Sequence, residues 1–210
     1  SISSATTAVA GDYMVKVTVN GCESIEASTT VVVNTIPTIT GATPGDRCGS
    51  GTVVLGAIAS AGTINWYAAA TGGSSLGTGT SFTTPSLSAT TTYYVDATAN
   101  GCITGTRTAV IATVKDIPTI TNTTPGNVCT SGPVTLGAVS SVGTINWYAN
   151  STGGSSLGSG PSFTTPSIST TVTYYVDATA DGCTTEERTP VEATVTTVPE
   201  ITGRTNGSRC

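Results

Sequence analysis

The sequence has no histidine and few residues that carry charge. Without histidine there is no Ser-His-Asp triad, no Cys-His pair and no imidazole-ligated metal. Lysine and arginine number 7 in 210 residues, and the formal net charge is −5. Phosphate binding needs a clustered positive field, so nucleic acid is not an expected partner. There is no basic patch for an anionic membrane surface either. No stretch approaches the roughly 20 apolar residues of a membrane-spanning helix, so membrane insertion is not expected. Charged residues are 9% of the chain, against about 25% in ordinary soluble proteins. Thr, Ser and Gly stand in their place, which gives an uncharged surface rich in hydroxyl groups.

What is present is repetition. Residues 36–116 and 117–197 align without a gap at a period of 81 residues, and most positions are identical. Cys48 aligns with Cys129, Trp66 with Trp147, Tyr93 with Tyr174 and Cys102 with Cys183, while Cys210 stands one further period after Cys129. A unit of this length is a whole small domain, unlike the 20–50-residue repeats of solenoids. The chain therefore reads as tandem domains in a head-to-tail array. Residues 1–35 are the last strands of a preceding domain, 36–116 and 117–197 are two complete repeats, and 198–210 begin another. Short joints containing Pro37, Pro118 and Pro199 precede each new domain. Proline is tolerated at a strand start and stiffens the joint by fixing φ.

Strand signals dominate each repeat. Short runs rich in Val, Ile, Thr and Tyr alternate in polarity and are broken by Gly, Pro, Asn and Ser. In the first repeat they predict strands near 38–41, 52–57, 63–68, 81–84, 91–98 and 106–114, with a weaker one near 74–77. The second repeat has the same set one period on. Asn100-Gly101 and Asp181-Gly182 predict tight hairpins, and Thr71-Gly72-Gly73 and Ser151-Thr152-Gly153-Gly154 mark loops. About seven short strands with frequent turns predict an all-β fold, an immunoglobulin-like antiparallel β-sandwich of two sheets.

Alternation puts Ile64 and Trp66 on one face of their strand, with Asn65 and Tyr67 on the other. Trp66 and Trp147 are thus expected in the core, as is the tryptophan of an immunoglobulin sandwich. Tyr13, Tyr93 and Tyr174 each precede by nine residues the cysteine of an Asn/Asp-Gly-Cys turn. They match the corner tyrosine that opens the sixth strand of such a fold and are expected to be structural. Tyr67, Tyr148, Tyr94 and Tyr175 point away from the core and form a possible ligand surface.

None of the six cysteines forms a CxxC pair, so a zinc site is not expected. Regularly placed cysteines in small domains point to an oxidising, extracellular location. The usual core disulfide would place a cysteine two residues after the corner tyrosine, yet Val15, Val95 and Val176 stand there. The cysteines have moved to the domain ends, and two pairings are open. One is a bridge within each repeat, Cys48 with Cys102 and Cys129 with Cys183. The other crosses the joint and links Cys48 to Cys183, with Cys22 and Cys102 pairing upstream and Cys129 and Cys210 downstream. A seven-residue strand separates the two ends of a sandwich by about 23 Å, and a disulfide needs Cα atoms about 5.5 Å apart. That favours the interdomain bridge.

No motif carries catalysis, a cofactor or a metal. Gly72-Gly73-Ser74-Ser75-Leu76-Gly77 lacks the Gly-Lys-Ser/Thr ending of a phosphate loop, and no Asp-rich calcium loop occurs. Asp96 and Asp177 are the only acids at matching places. They show no evident partner in the sequence and read as solvated or turn-bonding carboxylates. Glu186-Glu187 beside Arg188 reads as a surface pair. Asn122, Asn150 and Asn206 begin Asn-x-Ser/Thr triplets, which arise often in such a composition.

The segments Arg47-Cys48-Gly49-Ser50-Gly51, Ile64-Asn65-Trp66-Tyr67, Gly79-Thr80-Ser81-Phe82-Thr83-Thr84-Pro85 and Thr92-Tyr93-Tyr94-Val95 through Gly101-Cys102 resemble the Ig-like repeats of large surface proteins that Bacteroidota export by the type IX route. Residues 1–35 resemble a related variant through Ala10-Gly11-Asp12-Tyr13 and Gly21-Cys22. The resemblance implies no catalytic residues. It implies a structural segment of an extracellular adhesin or filament, with neighbouring Ig-like domains as partners. A carbohydrate-binding or spacer module of a secreted multidomain protein, with surface glycans as partners, is the alternative.

Overall fold

The computed structural model describes residues 9–203 and 206–209, so Cys210 and its expected pairing lie outside the described residues. The chain divides into two compact units after Val114. Its first strands are β1 (Gly11–Val15), β2 (Thr18–Val19), β3 (Cys22–Glu23) and β4 (Ala27–Val31). β1 pairs antiparallel with β4, and β2 with β3.

The first repeat follows as β5 (Ile39–Thr43), β6 (Gly45–Cys48), β7 (Val54–Ala59), β8 (Thr63–Tyr67), β9 (Gly77–Thr78), β10 (Ser81–Thr83), β11 (Thr91–Ala99), β12 (Cys102–Ile103) and β13 (Thr108–Lys115). One sheet has the order β10-β7-β5 and the other β6-β13-β11-β8-β9, with β12 as a short arm on β11. The second repeat repeats this arrangement with β14 (Ile120–Thr124), β15 (Gly126–Cys129), β16 (Thr135–Ser140), β17 (Thr144–Tyr148), β18 (Gly158–Ser159), β19 (Ser162–Thr164), β20 (Val172–Ala180), β21 (Cys183–Thr184) and β22 (Thr189–Thr196). Each repeat is thus a two-layer immunoglobulin-like sandwich, and no α-helix occurs among the described residues.

Period-2 alternation builds the core. Along β11, Tyr93, Val95 and Ala97 face inward and are buried, and Tyr93 and Val95 share one cluster with Val53, Leu55 and Ala57. Trp66 is fully buried, its indole N–H donates to the Gly79 carbonyl at 2.9 Å, and its ring stacks on Phe82 at 5.4 Å. Trp147 repeats this with Gly160 at 2.9 Å and Phe163 at 5.6 Å. The buried N–H therefore has its acceptor, as a tryptophan wholly inside a core requires. Val95 and Val176 fill the place of the usual core cysteine and are wholly buried.

The predicted strands appear within a few residues of their expected ends, but two elements were not foreseen. One is the arm that carries Cys102. The other is β6, with its counterpart β15, which pairs parallel with β22 from Gly126↔Ala193 to Cys129↔Thr196. Gly-Asp-Arg-Cys has no strand signal of its own. Pro44 withholds an N–H and ends β5, and Gly45 then lets the chain pass close to β7, where a Cβ would run into the Val54 carbonyl oxygen. The edge strand thereby leaves one sheet and joins the other, and ladder bonds set its conformation.

Candidate functional site

The outward face of the six-stranded sheet carries the tyrosines singled out above. Tyr67 of β8 stands directly across from Tyr94 of β11, and Tyr148 from Tyr175. All four are half-buried. One face of the Tyr67 ring is occupied, because the Arg107 guanidinium carbon lies 3.2 Å from its centroid. Arg188 covers Tyr148 at the same distance. This is the geometry of a cation–π contact.

Arg107 does more than cover a ring. Its Nε donates to Asp96 Oδ2 at 3.2 Å, and one terminal nitrogen donates to the carbonyls of Ala69 at 2.8 Å and Gly72 at 2.6 Å. The second carboxylate oxygen of Asp96 accepts from Asn65 Nδ2 at 2.9 Å. The second repeat reproduces the set: Arg188 donates to Asp177 at 3.3 Å and to the carbonyls of Asn150 and Gly153, and Asn146 donates to Asp177 at 3.1 Å. Asp96 and Asp177 are each 4% exposed. They are therefore not solvated carboxylates but buried ones, and the partner of Arg188 is Asp177 rather than the neighbouring glutamates. The sequence did hold a signal. Asp96 and Arg107 recur one period on, at the same spacing, as Asp177 and Arg188.

The cluster holds the loop after β8 and β17 down on the sheet. Its donors and acceptors are matched, and no buried side-chain N or O among the described residues lacks a partner. Among the described residues no group of three Cys, Asp or Glu is placed to hold a metal ion. The arrangement is built to fix a loop.

Tyr13 donates its hydroxyl to the Val9 carbonyl at 2.8 Å, which is the corner bond of immunoglobulin-like sandwiches. Among the described residues it is the one corner tyrosine with this bond, and it is partly exposed. Tyr93 and Tyr174 are buried instead, with their rings tilted against Phe82 and Phe163. Burial desolvates the Tyr93 phenol and raises its pKa above the ordinary value of 10.0.

The cysteines fall into two kinds. Cys22, Cys102 and Cys183 each follow a turn whose two central residues both have positive φ: Asn20 and Gly21, Asn100 and Gly101, Asp181 and Gly182. These are type I′ hairpin turns. Cys48 and Cys129 end the edge strands β6 and β15. Cys48 and Cys183 are disulfide-bonded, whereas Cys22, Cys102 and Cys129 are free thiols. With Cys102 and Cys129 free, the bridges within each repeat are not formed. The register gives the reason. Cys129 stands beside Thr196 at one end of its sheet and Cys183 beside Ala180 at the other. The eight residues of β22 alone span about 26 Å, and Ala180 lies a further four residues beyond Val176, the partner of Thr189.

The family described as "Ig-like domain CHU_C associated" matches residues 35–115 and 116–197. Among solved structures, the fibronectin(III)-like modules of Clostridium thermocellum CbhA are similar at 14% identity, over 81% of this chain and 100% of that one, with a TM-score of 0.43. Immunoglobulin domains 1–4 of Sidekick-1 are similar at 16% identity over 91% and 60% of the two chains, with a TM-score of 0.46. Titin domains A168–A170 show 16% identity over 96% and 77%, with a TM-score of 0.45. No curated protein sequence matches the chain.

Proposed function

Since the chain belongs to the family of CHU_C-associated Ig-like domains, we propose that it is a structural segment of an extracellular surface adhesin or filament and acts as a stiff stalk. The observation that carries this reading is the near-identity of the two sandwiches, down to the loop clamps at Arg107 and Arg188. Repetition of a fully satisfied unit adds length and reach. It is a mechanical contribution rather than a catalytic one.

The cysteines support the extracellular placement, since disulfides persist in oxidising compartments. Cys48 and Cys183 are both disulfide-bonded, and pairing them with each other, as the interdomain scheme has it, makes the Ig-like neighbours in the same chain or filament the partners of each domain. The buried Pro37 and Pro118 limit bending at the joints by fixing φ. Solution scattering from the oxidised chain tests the reading. The expected result is an elongated particle that grows by about 35–45 Å per domain, as strands of this length plus loops require. A compact globule overturns it.

A second reading is a module for surface glycans. The cross-strand pairs Tyr67/Tyr94 and Tyr148/Tyr175 favour it, because they repeat a half-exposed aromatic surface along the chain. Polysaccharide pull-down that is lost in Tyr67→Ala and Tyr94→Ala supports this reading, and absence of binding to a broad glycan array removes it.

A further inference from the structure

Two free thiols stand against one repeating position. Cys102 Sγ lies 4.0 Å from the carbonyl oxygen of Asn34, and Asn34 Nδ2 donates to the Asn100 carbonyl at 3.3 Å in the same turn. Cys129 is laddered to Thr196, whose hydroxyl lies 3.8 Å from Cys129 Sγ. Asn34 and Thr196 are the same place in the repeat, two periods apart. The turn-type cysteine of one domain and the edge-strand cysteine of another thus both approach this position, which ends β22 at Thr196 and lies three residues past the end of β4 at Asn34.

The period supplies the second observation. Cys183 is the equivalent of Cys102, and Cys48 is the equivalent of Cys129. Those two equivalents are the disulfide-bonded cysteines, while Cys102 and Cys129 are free. Each of the two environments thus occurs once with a bonded cysteine, at Cys183 and Cys48, and again with a free one, at Cys102 and Cys129.

We propose that Cys102 and Cys129 are the unlike halves of one repeating staple, each taking a cysteine of the opposite kind from a further Ig-like module, for which a second copy of this chain suffices. Cys129 of one copy bonds Cys102 of the next. This rests on the interdomain reading of Cys48 and Cys183 given above. The contact is heterologous: one surface meets a different surface, so each copy keeps one free half and the assembly grows as an open filament. Cys129 is exposed and Cys102 partly so, which leaves both open to exchange.

The bond forms by thiol–disulfide exchange with a low-molecular-weight disulfide such as oxidised glutathione. The Cys129 thiolate attacks it, one small thiolate leaves, and a mixed disulfide remains. The Cys102 thiolate of the second copy then attacks the Cys129 sulfur and displaces the second small thiolate. Two protein thiols are oxidised, one small disulfide is reduced to two thiols, and the protein protons end on the released thiols.

The test uses the full chain with Cys22→Ser and Cys210→Ser, so that Cys102 and Cys129 are the free thiols that remain. Equal parts of unlabelled and 15N-labelled protein are mixed in a glutathione redox buffer and examined by non-reducing gel and peptide mass spectrometry. The expected result is a ladder of covalent oligomers whose crosslinked peptides join Cys102 to Cys129 and carry mixed labels. A further Cys129→Ser change should abolish the ladder apart from a Cys102–Cys102 dimer at background level. The proposal is overturned by like-with-like peptides as abundant as unlike ones, by a Cys102–Cys129 link with unmixed labels, or by monomers that stop at glutathione adducts. Scattering from the same protein held reduced keeps the stalk separate. An extended monomer without selective pairing leaves the stalk standing, and selective pairing by a compact monomer leaves the staple standing.

Discussion

Arg107 lies flat over Tyr67, 3.2 Å from ring centroid to guanidinium carbon, while its Nε reaches the Asp96 carboxylate at 3.2 Å. The guanidinium is therefore held between an aromatic face and a buried anion. A planar fork can do this and a point charge cannot, because the two contacts use its face and its edge at once. The terminal nitrogen is left free to tie down the carbonyls of Ala69 and Gly72.

Arg107→Ala is expected to destabilise the first repeat by about 3–5 kcal/mol, the range for stranding one member of a buried ion pair. Arg107→Lys should recover only part of this, since it keeps the charge and loses the fork. The double change Asp96→Leu with Arg107→Met should cost less than Arg107→Ala alone, because no buried charge is left unpaired. Urea unfolding of the four proteins measures all three. If Arg107→Ala costs under about 1 kcal/mol, the pair behaves as an exposed surface bridge and the clamp is not structural.

Glycine substitutions separate close approach from open space. At Gly62 the backbone has φ +80°, and a Cβ would run into the Thr98 carbonyl oxygen of β11. Both the conformation and the contact oppose a side chain, so Gly62→Ala should cost more than about 2 kcal/mol. Gly105 has ordinary φ and nothing within reach of a Cβ. Gly105→Ala should stay within about 0.5 kcal/mol of the parent, as surface changes do. Thermal melts of the two variants compare them directly, and equal losses would contradict the packing at Gly62.

The sandwich was legible because it rests on alternation. Ile64 and Trp66 could be placed in the core from their period alone, and Asn100-Gly101 announced its turn by the positive φ it needs. The edge strand β6 was not legible, since its conformation comes from its neighbour β13, about 60 residues away, rather than from Gly-Asp-Arg-Cys. Asp96 was misread for a related reason. Alternation puts it on the outward face correctly, but that face is roofed by the loop that Arg107 holds, and a roof built by tertiary contacts leaves no local pattern. The cysteines lay between these cases. Strand length argued against a bridge within a repeat, and the free state of Cys102 and Cys129 agrees.

Alkylation without reduction should modify Cys22, Cys102 and Cys129 and spare Cys48 and Cys183. Tryptic mapping of the alkylated protein should yield one crosslinked species, Cys48 with Cys183. After reduction both become reactive. A bridge that closes so long a stretch of chain stabilises by about 5 kcal/mol in the loop-entropy model, so reduction should lower the unfolding midpoint. A Cys48–Cys102 peptide would instead show a bridge within the repeat.

The Tyr93 phenol offers a pH test whose sign is fixed by its cause. Burial disfavours the phenolate, so the native pKa lies above the unfolded value of 10.0. The folded state then holds its proton where the unfolded state releases it. The stabilisation is fully present below pH 10 and is lost as pH rises from 10 through the raised native value. Tyr93→Phe cannot ionise in either state, so its stability should fall less steeply over that interval, although it starts from a different baseline. Spectrophotometric titration of phenolate absorbance in the parent and the variant isolates the Tyr93 transition, and urea unfolding at a series of pH values above 9 measures the slope. A Tyr93 transition at or below pH 10, or equal slopes in the two proteins, would show that the ring is not desolvated where it packs on Phe82.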